Sequence, residues 1–325
     1  MSLSAQETSK GGPAAAPSAI SCPSAAAPAA PPQGASARGI AYLLGALALF
    51  TLMDATAKFL GTRYHPFEIV WVRFALNFLI LLAIFRARVP GLLRSRQPGL
   101  QLARTLAQVA TVTLFFAAVS RLGLAEVTAL FDINPVLISL GAALFLGERL
   151  GPRRLAGIGA AFVGALIILR PGVAAFDPVA LLALAGAVTY AAGALLTRVL
   201  RDEPIGTSLL WSALVGVLAS SLALPFVWTP PALADLWLFA ALGGLGSLGQ
   251  LLLLRAFAET EAGALAPFGY FGLIFASLWG ALIFGQLPDV ATCLGALVIV
   301  GAGVYVWARE RRAARPAPAP DPFEP

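Results

Sequence analysis

Between residues 39 and 308 the chain is a nearly continuous series of apolar runs, at 39–60, 66–85, 101–120, 124–146, 154–170, 178–199, 207–228, 237–257, 264–285 and 289–308. A helix needs roughly 20 such residues to cross a hydrocarbon core. A membrane barrel strand needs about half as many. The runs therefore predict an all-α integral membrane protein of ten transmembrane helices. Apolar residues make up 59% of the chain and charged residues only 12%, where soluble domains carry about a quarter charged. The 32 glycines would weaken soluble helices, but in lipid small residues let helix backbones approach closely.

Residues 1–37 are rich in Ala, Pro and Ser and lack an apolar core segment, so they read as a disordered cytoplasmic tail and not as a signal peptide. Residues 309–325 form a basic, Pro-rich second tail. The net charge of +6 is explained by where the arginines fall and implies no nucleic-acid partner. Arg38, Arg86, Arg88, Arg94, Arg96, Arg149, Arg153, Arg154, Arg198, Arg201, Arg309, Arg311, Arg312 and Arg315 lie on one side of the ten-span arrangement. Only Arg63, Arg121 and Arg170 lie on the other. Cytoplasmic loops are the arginine-rich ones, so both termini are expected in the cytoplasm. The strong preference for Arg over Lys, with abundant Ala and Gly, points to a high-GC bacterial genome and an inner membrane. Cys22 and Cys293 imply no disulfide framework, and a single histidine, His65, leaves no metal site or cofactor to expect.

An offset of 138 residues superposes "ALFLGERLGPRRLAGIGAAFVGALIIL" (143–169) on "ALIFGQLPDVATCLGALVIVGAGVYVW" (281–307), with Gly147 on Gly285, Glu148 on Gln286 and Gly157 on Gly295. The chain is then two five-helix units, 38–172 and 173–308. A unit with an odd number of spans inserts its second copy upside down, the inverted-repeat plan of secondary transporters.

The stretches "LAEVTALFDINPVLISLGAALFLGERLGPRRLAGIGAAFVGALIILRPG" (124–172) and "EAGALAPFGYFGLIFASLWGALIFGQLPD" (261–289) resemble the two EamA domains of the drug/metabolite transporter superfamily. The resemblance covers about 38–308. It implies two inverted five-helix EamA repeats around a central cavity that moves small metabolites. Gln286 departs from the acid that many members carry at that position.

Charge inside the spans is the strongest functional signal, because each charge at the centre of the bilayer costs about 2.5–3.5 kcal/mol on insertion scales. At about 1.5 Å of rise per residue, Asp54, Arg73 and Asp132 lie roughly 9, 10 and 12 Å below the outer ends of their spans. They are expected to converge on a water-filled pathway or to form an ion pair that orients the helices. Lys58 is placed to snorkel to the interface or to pair with Asp54 one turn earlier. Two acids sharing Arg73 would leave one under-compensated, and Asp132 is expected to be that proton-carrying acid. Tyr270 takes the place of Asp132 under the repeat and can donate without the cost of a charge. Trp71, Asn77, Tyr190 and Gln250 are further candidates for lining the pathway. Arg104 and Arg255 read as interfacial anchors, Trp237 as part of an interfacial belt, Arg63 as a wet loop residue, and Glu148 with Arg149 as a helix cap. Pro135 and Pro267 should break the fourth and ninth helices.

The expected function is secondary active transport of a small polar organic metabolite, zwitterionic or anionic, such as an amino-acid-like compound, a nucleoside derivative or a vitamin. No Walker motif, metal cluster or activated nucleophile is present in the sequence, which disfavours an ATP-driven pump and an enzyme. A membrane-embedded enzyme and a non-transporting receptor or scaffold are the alternatives. The partners expected are the substrate and the lipid bilayer, and a homodimer is left open.

Overall fold

Prolines and one histidine punctuate the helices. In the computed structural model, which describes residues 36–146, 151–171, 177–260 and 262–313, α1 spans Ala37–Leu60, α2 Pro66–Phe85 and α3 Pro98–Val119. Both α2 and α3 open on proline, whose missing N–H would be unpaired in a first turn anyway. His65 caps α2 by accepting from the Phe67 N–H at 3.4 Å. The fourth run is broken into α4, Leu124–Phe131, and α5, Asn134–Leu146. The break at 132–133 just precedes Pro135, which cannot donate to the preceding turn. The remaining long helices are α6 (Pro152–Leu169), α7 (Ala180–Val199), α8 (Ile205–Ser221), α9 (Leu236–Glu259), α10 (Phe271–Phe284) and α11 (Val290–Ala313). The ninth run is also discontinuous: a short turn of helix leads into a 3₁₀ stretch, Ala266–Tyr270, that carries Pro267 and ends where α10 begins.

No strand occurs among the described residues. Among the described residues, eight helices are long and apolar enough to cross a membrane, with α4 and α5 taken as one, and Leu155–Leu169 and Ile205–Ser221 are two shorter apolar helices. The outer surface carries large apolar side chains such as Phe145, 82% exposed, and Leu282, 67% exposed. In water such a surface would aggregate; in lipid it is the expected exterior.

Helix packing follows the internal repeat. The first helix packs on the third of the other half, α1 on α9 and α3 on α7, while α2 meets its counterpart α8 and α6 meets its counterpart α11. The α6–α11 seam depends on glycine: a Cβ on Gly164 would stand 2.8 Å from the Gly295 carbonyl oxygen, and one on Gly295 would stand 2.6 Å from that of Gly164.

The two ends of the bundle differ. At one end the halves are tied together: Arg63 Nη1 donates to Asp235 at 2.9 Å, the Tyr64 hydroxyl donates to Asp235 at 2.8 Å, the Thr229 N–H donates to Glu68 at 2.8 Å, and Arg170 donates to Asp289. Arg63, read from sequence as a wet loop residue, is thus the partner of a buried acid, Asp235 being 3% exposed. At the other end the ties are Ser36 N–H to Thr260 and Ser95 to Glu203. Tail residues 1–35 and 314–325, and Glu148 with Arg149, lie outside the described residues.

Candidate functional site

The run that became α3 carries Gln101, Arg104, Thr105, Gln108 and Thr111 at steps of three and four, so they share one helical face. That face turns to the second half. Thr111 and Thr189 of α7 are joined by a 2.8 Å hydroxyl hydrogen bond, and the Gln101 amide donates to the Ser208 hydroxyl of α8 at 3.0 Å. Arg104, 8% exposed, donates through Nη2 to the Ser208 carbonyl at 2.7 Å and the Ser212 hydroxyl at 2.8 Å, and through Nε to Gln101 at 3.1 Å. A guanidinium has five N–H donors, so its two Nη1 hydrogens remain. Arg104 is therefore no interfacial anchor: the carbonyls and hydroxyls of α8 hold it inside. Arg255, by contrast, is exposed, as is Trp237.

Beyond Arg104 lies a cavity of about 340 Å³, lined by α1, α2 and α3 of the first half and α7, α8 and α9 of the second. It reaches the surface beside Arg201, whose side chain is 83% exposed, at the end tied by Ser95 and Glu203. Arg73, Asn77, Gln108, Ser247 and Gln250 also face it. Arg73 makes no hydrogen bond or ion pair among the described residues; its guanidinium lies over the Phe116 ring at 5.6 Å. Gln108 Oε1 and Ser247 Oγ are buried without a partner in the same wall. Buried polar groups are normally paired, so this wall is chemically incomplete. Glu203, at the mouth, is engaged by its own neighbours. The Ser95 hydroxyl and the Arg96 and Gln97 N–H groups donate to it at 2.8, 2.7 and 3.2 Å and hold its carboxyl below the usual range.

The sequence candidates separate into groups. Arg73, Asn77 and Gln250 share the cavity. Asp54 is coupled electrostatically to Arg73 without ion-pair contact. Asp132 does not join them: it caps the end of α4 and is coupled to Tyr270 at the other helix break, so the expected three-charge cluster is not formed. Tyr190 is half exposed and meets Phe131 edge to face at 5.5 Å, outside the cavity wall. Trp71 is also outside it, donating to Ser221 at 2.8 Å and meeting Trp228 edge to face. Lys58 neither snorkels nor pairs with Asp54. It is 6% exposed, donates to the Val119 carbonyl at 3.0 Å and to that of Leu122, and lies over the Phe284 ring. The end of α3 carries unpaired carbonyls and partial negative charge, a stronger attraction for a nearby ammonium than the interface.

A sequence scan weighted towards charge set Arg104 at the interface and missed Gln108, Ser208, Ser212 and Ser247. The polar stripe of α3 was the available signal. A second stripe lies on α9 at Gly243, Gly246, Ser247, Gln250 and Leu254, all in the cavity wall.

A multi-pass membrane protein whose two halves enclose a polar, cationic cavity within the spans has the architecture of a small-solute transporter. The chain belongs to the EamA-like transporter family, whose profile matches twice, at residues 37–170 and 177–308. It is 31% identical over 283 residues to an S-adenosylmethionine uptake transporter of Rickettsia bellii, covering 85% of this chain and 95% of that one. A riboflavin transporter of Rhizobium johnstonii is 30% identical, with 86% and 94% covered. A pseudopaline exporter of Pseudomonas aeruginosa is 31% identical, with 79% and 92% covered. One solved crystal structure shares the fold at a TM-score of 0.58 and 21% identity, over 85% of this chain and 99% of that one. The protein is accordingly a membrane transporter of small metabolites.

Proposed function

We propose that the chain is a secondary carrier of a carboxylate-bearing organic metabolite, anionic or zwitterionic, working by alternating access in a bacterial inner membrane. The observation that carries this reading is Arg73, a guanidinium without a hydrogen-bond acceptor among the described residues that faces the cavity, with Arg104 beside the same space. Arg73 is only partly exposed and its donors have no hydrogen-bond acceptor among the described residues, and a carboxylate is the group that a guanidinium binds with two parallel hydrogen bonds. Gln108 Oε1 accepts only, so it suits an N–H or O–H elsewhere on the same molecule. The cavity is at the low end of the usual range for ligand pockets, about 300–1,000 Å³, and fits a small solute.

In the ten-span arrangement the two halves are inverted, both termini are cytoplasmic, and the cavity faces the cytoplasm. Arg63 with Asp235 and Arg170 with Asp289 then close the opposite side. Transport requires those pairs to part while the mouth at Ser95 and Glu203 shuts. The relatives are named for uptake and for export, so kinship sets no direction. S-adenosylmethionine carries an amino-acid carboxylate and is the first compound to try.

Proteoliposomes containing only this protein test the reading with S-adenosylmethionine, riboflavin and a set of amino and opine-type acids. Saturable uptake that Arg73→Gln abolishes and Arg255→Gln spares supports it. If no carboxylate-bearing compound crosses faster than in protein-free vesicles, the carboxylate reading fails.

A further inference from the structure

Asp132 and Tyr270 occupy one and the same position of the internal repeat, and each sits at the break of a discontinuous span. Asp132 belongs to the first half and Tyr270 to the second, and the Asp132 charge is felt at Tyr270. Neither lines the cavity beside Arg73 and Arg104. Asp132 Oδ2 is buried without a hydrogen-bond partner among the described residues, and so is Oδ1 of Asn134, a residue 8% exposed. Asp132 as a whole keeps some exposed surface, so the carboxyl is not sealed off. The Tyr270 hydroxyl rests directly on Gly303, where no side chain would fit.

Among the helices packed against α4, α10 carries no charged residue and α11 none before Arg309, while Lys58 of α1 is held by the Val119 and Leu122 carbonyls and acts on Glu126. Tyr190 of α7 meets Phe131 beside Asp132, and Asp54 of α1 is coupled to Arg73. Arg104 of α3 is engaged by α8, and Arg170 after α6 by Asp289. An ionised carboxylate here has nothing to offset the loss of hydration, whereas a protonated one can donate to a neighbouring acceptor. A metal ion would need about six oxygen ligands, and the side chains at the break provide a carboxylate, an amide oxygen and a phenol.

We propose that Asp132 is the proton-carrying group of the transport cycle. Its carboxylate takes up one proton from the water on one side and releases it to the other as the halves rock, with no bond in the substrate broken. The acid stands at a break in a span of the first half, where α10 and α11 of the second half pack against α4, so the step that moves one half against the other also changes the surroundings of the acid. This rests on the carrier reading for its place in a cycle, but proton binding itself can be observed without any substrate.

The experiment is infrared difference spectroscopy of the full-length protein in lipid vesicles as pH is varied, read at the C=O stretch of a protonated carboxyl. A band that titrates with pH in the wild type, is lost in Asp132→Asn and persists in Asp54→Asn is the expected result. Survival of the band in Asp132→Asn overturns the proposal, as does a band that follows sodium concentration at fixed pH. Asp132 Oδ2 has no hydrogen-bond partner among the described residues, so the asparagine breaks none there. Should that variant fail to fold, Asp132→Glu must shift the band's frequency, and an unshifted band overturns the proposal equally. For whichever compound the vesicle screen finds, Asp132→Asn should lose accumulation driven by a pH gradient and keep exchange of labelled for unlabelled compound. Loss of both, or survival of both, counts against Asp132. A screen that finds no transported compound defeats the carrier reading and leaves the infrared result standing by itself.

Discussion

Arg170 donates to Asp289 across the two halves, joining the residue that ends α6 to the residue that precedes α11. The Arg170 guanidinium first, then the Thr292 hydroxyl and N–H, hold the Asp289 carboxyl down at about 2. A depressed carboxylate contributes stability that is fully present above its unfolded value of about 3.9 and is lost only as pH falls through about 2. The closure therefore does not respond to pH anywhere near neutrality. Asp289→Asn removes the ion pair at all pH values. Both side chains are partly exposed, 29% and 52%, so solvent screening limits the effect to about 0.5–1 kcal/mol. That is enough to shift the balance of the two access states by about two- to five-fold, read as faster labelling of cysteines engineered on the α6–α11 side of the bundle.

Arg73 and Arg104 should fail differently. Arg73 has no hydrogen-bond acceptor of its own, so Arg73→Gln removes substrate contact and should lower the kcat/KM of carboxylate transport by about 10- to 100-fold, with a smaller loss of Tm than Arg104→Gln causes. The figure follows from about 1.5–3 kcal/mol for a charged hydrogen bond. Arg104→Gln strips donors from Ser208 and Ser212 and should lower Tm as well as transport. Arg255→Gln, at an exposed site, is the control for both. If Arg73→Gln lowers Tm as much as Arg104→Gln, then Arg73 is structural.

Much of this fold is legible because lipid enforces it. Apolar runs, arginine-rich loops and a 138-residue repeat are local properties, and Pro135 and Pro267 mark helix breaks through their own chemistry. The site is less legible because its members are chosen by partners far away in sequence. Lys58 finds carbonyls more than 60 residues on, and Arg104 finds Ser208 and Ser212 more than 100 residues on. Depth along a span could place Asp54, Arg73 and Asp132 at one level, but not say which faces which. Rotation of each helix about its axis decides that, and α4 ends at Asp132. The polar stripes of α3 and α9 encode that rotation, and they were readable once uncharged side chains were counted with the charged ones.

Lys58→Met keeps the length of the side chain and removes its charge and donors. The carbonyls of Val119 and Leu122 then lose their shared partner in a buried place. The expected cost is about 1.5–3 kcal/mol, seen as a lower Tm in detergent. Protein that remains folded should transport at close to the wild-type rate, because Lys58 does not face the cavity. A wild-type Tm combined with lost transport would instead put Lys58 on the substrate path.

The seam between α6 and α11 offers a test that uses two glycines of one helix. At Gly164 an added Cβ meets the Gly295 carbonyl oxygen at 2.8 Å and Ile299 at 2.8 Å, whereas at Gly159 nothing lies within 4 Å. Backbone is on the other side of the first contact, so the clash cannot be relieved by rotating a side chain. The helices must separate. Forcing extra atoms into a packed core costs about 1–3 kcal/mol, and Gly164→Ala should lower Tm accordingly. Gly159→Ala sits in open space within a helix, where alanine restricts the unfolded chain more than glycine does, and should raise stability by about 0.4–1 kcal/mol. The two effects have opposite sign although the chemical change is identical, so a common effect of alanine on membrane helices cannot produce both. Thermal unfolding of the two variants in one detergent decides it: equal shifts would show that α6 and α11 do not meet at Gly164.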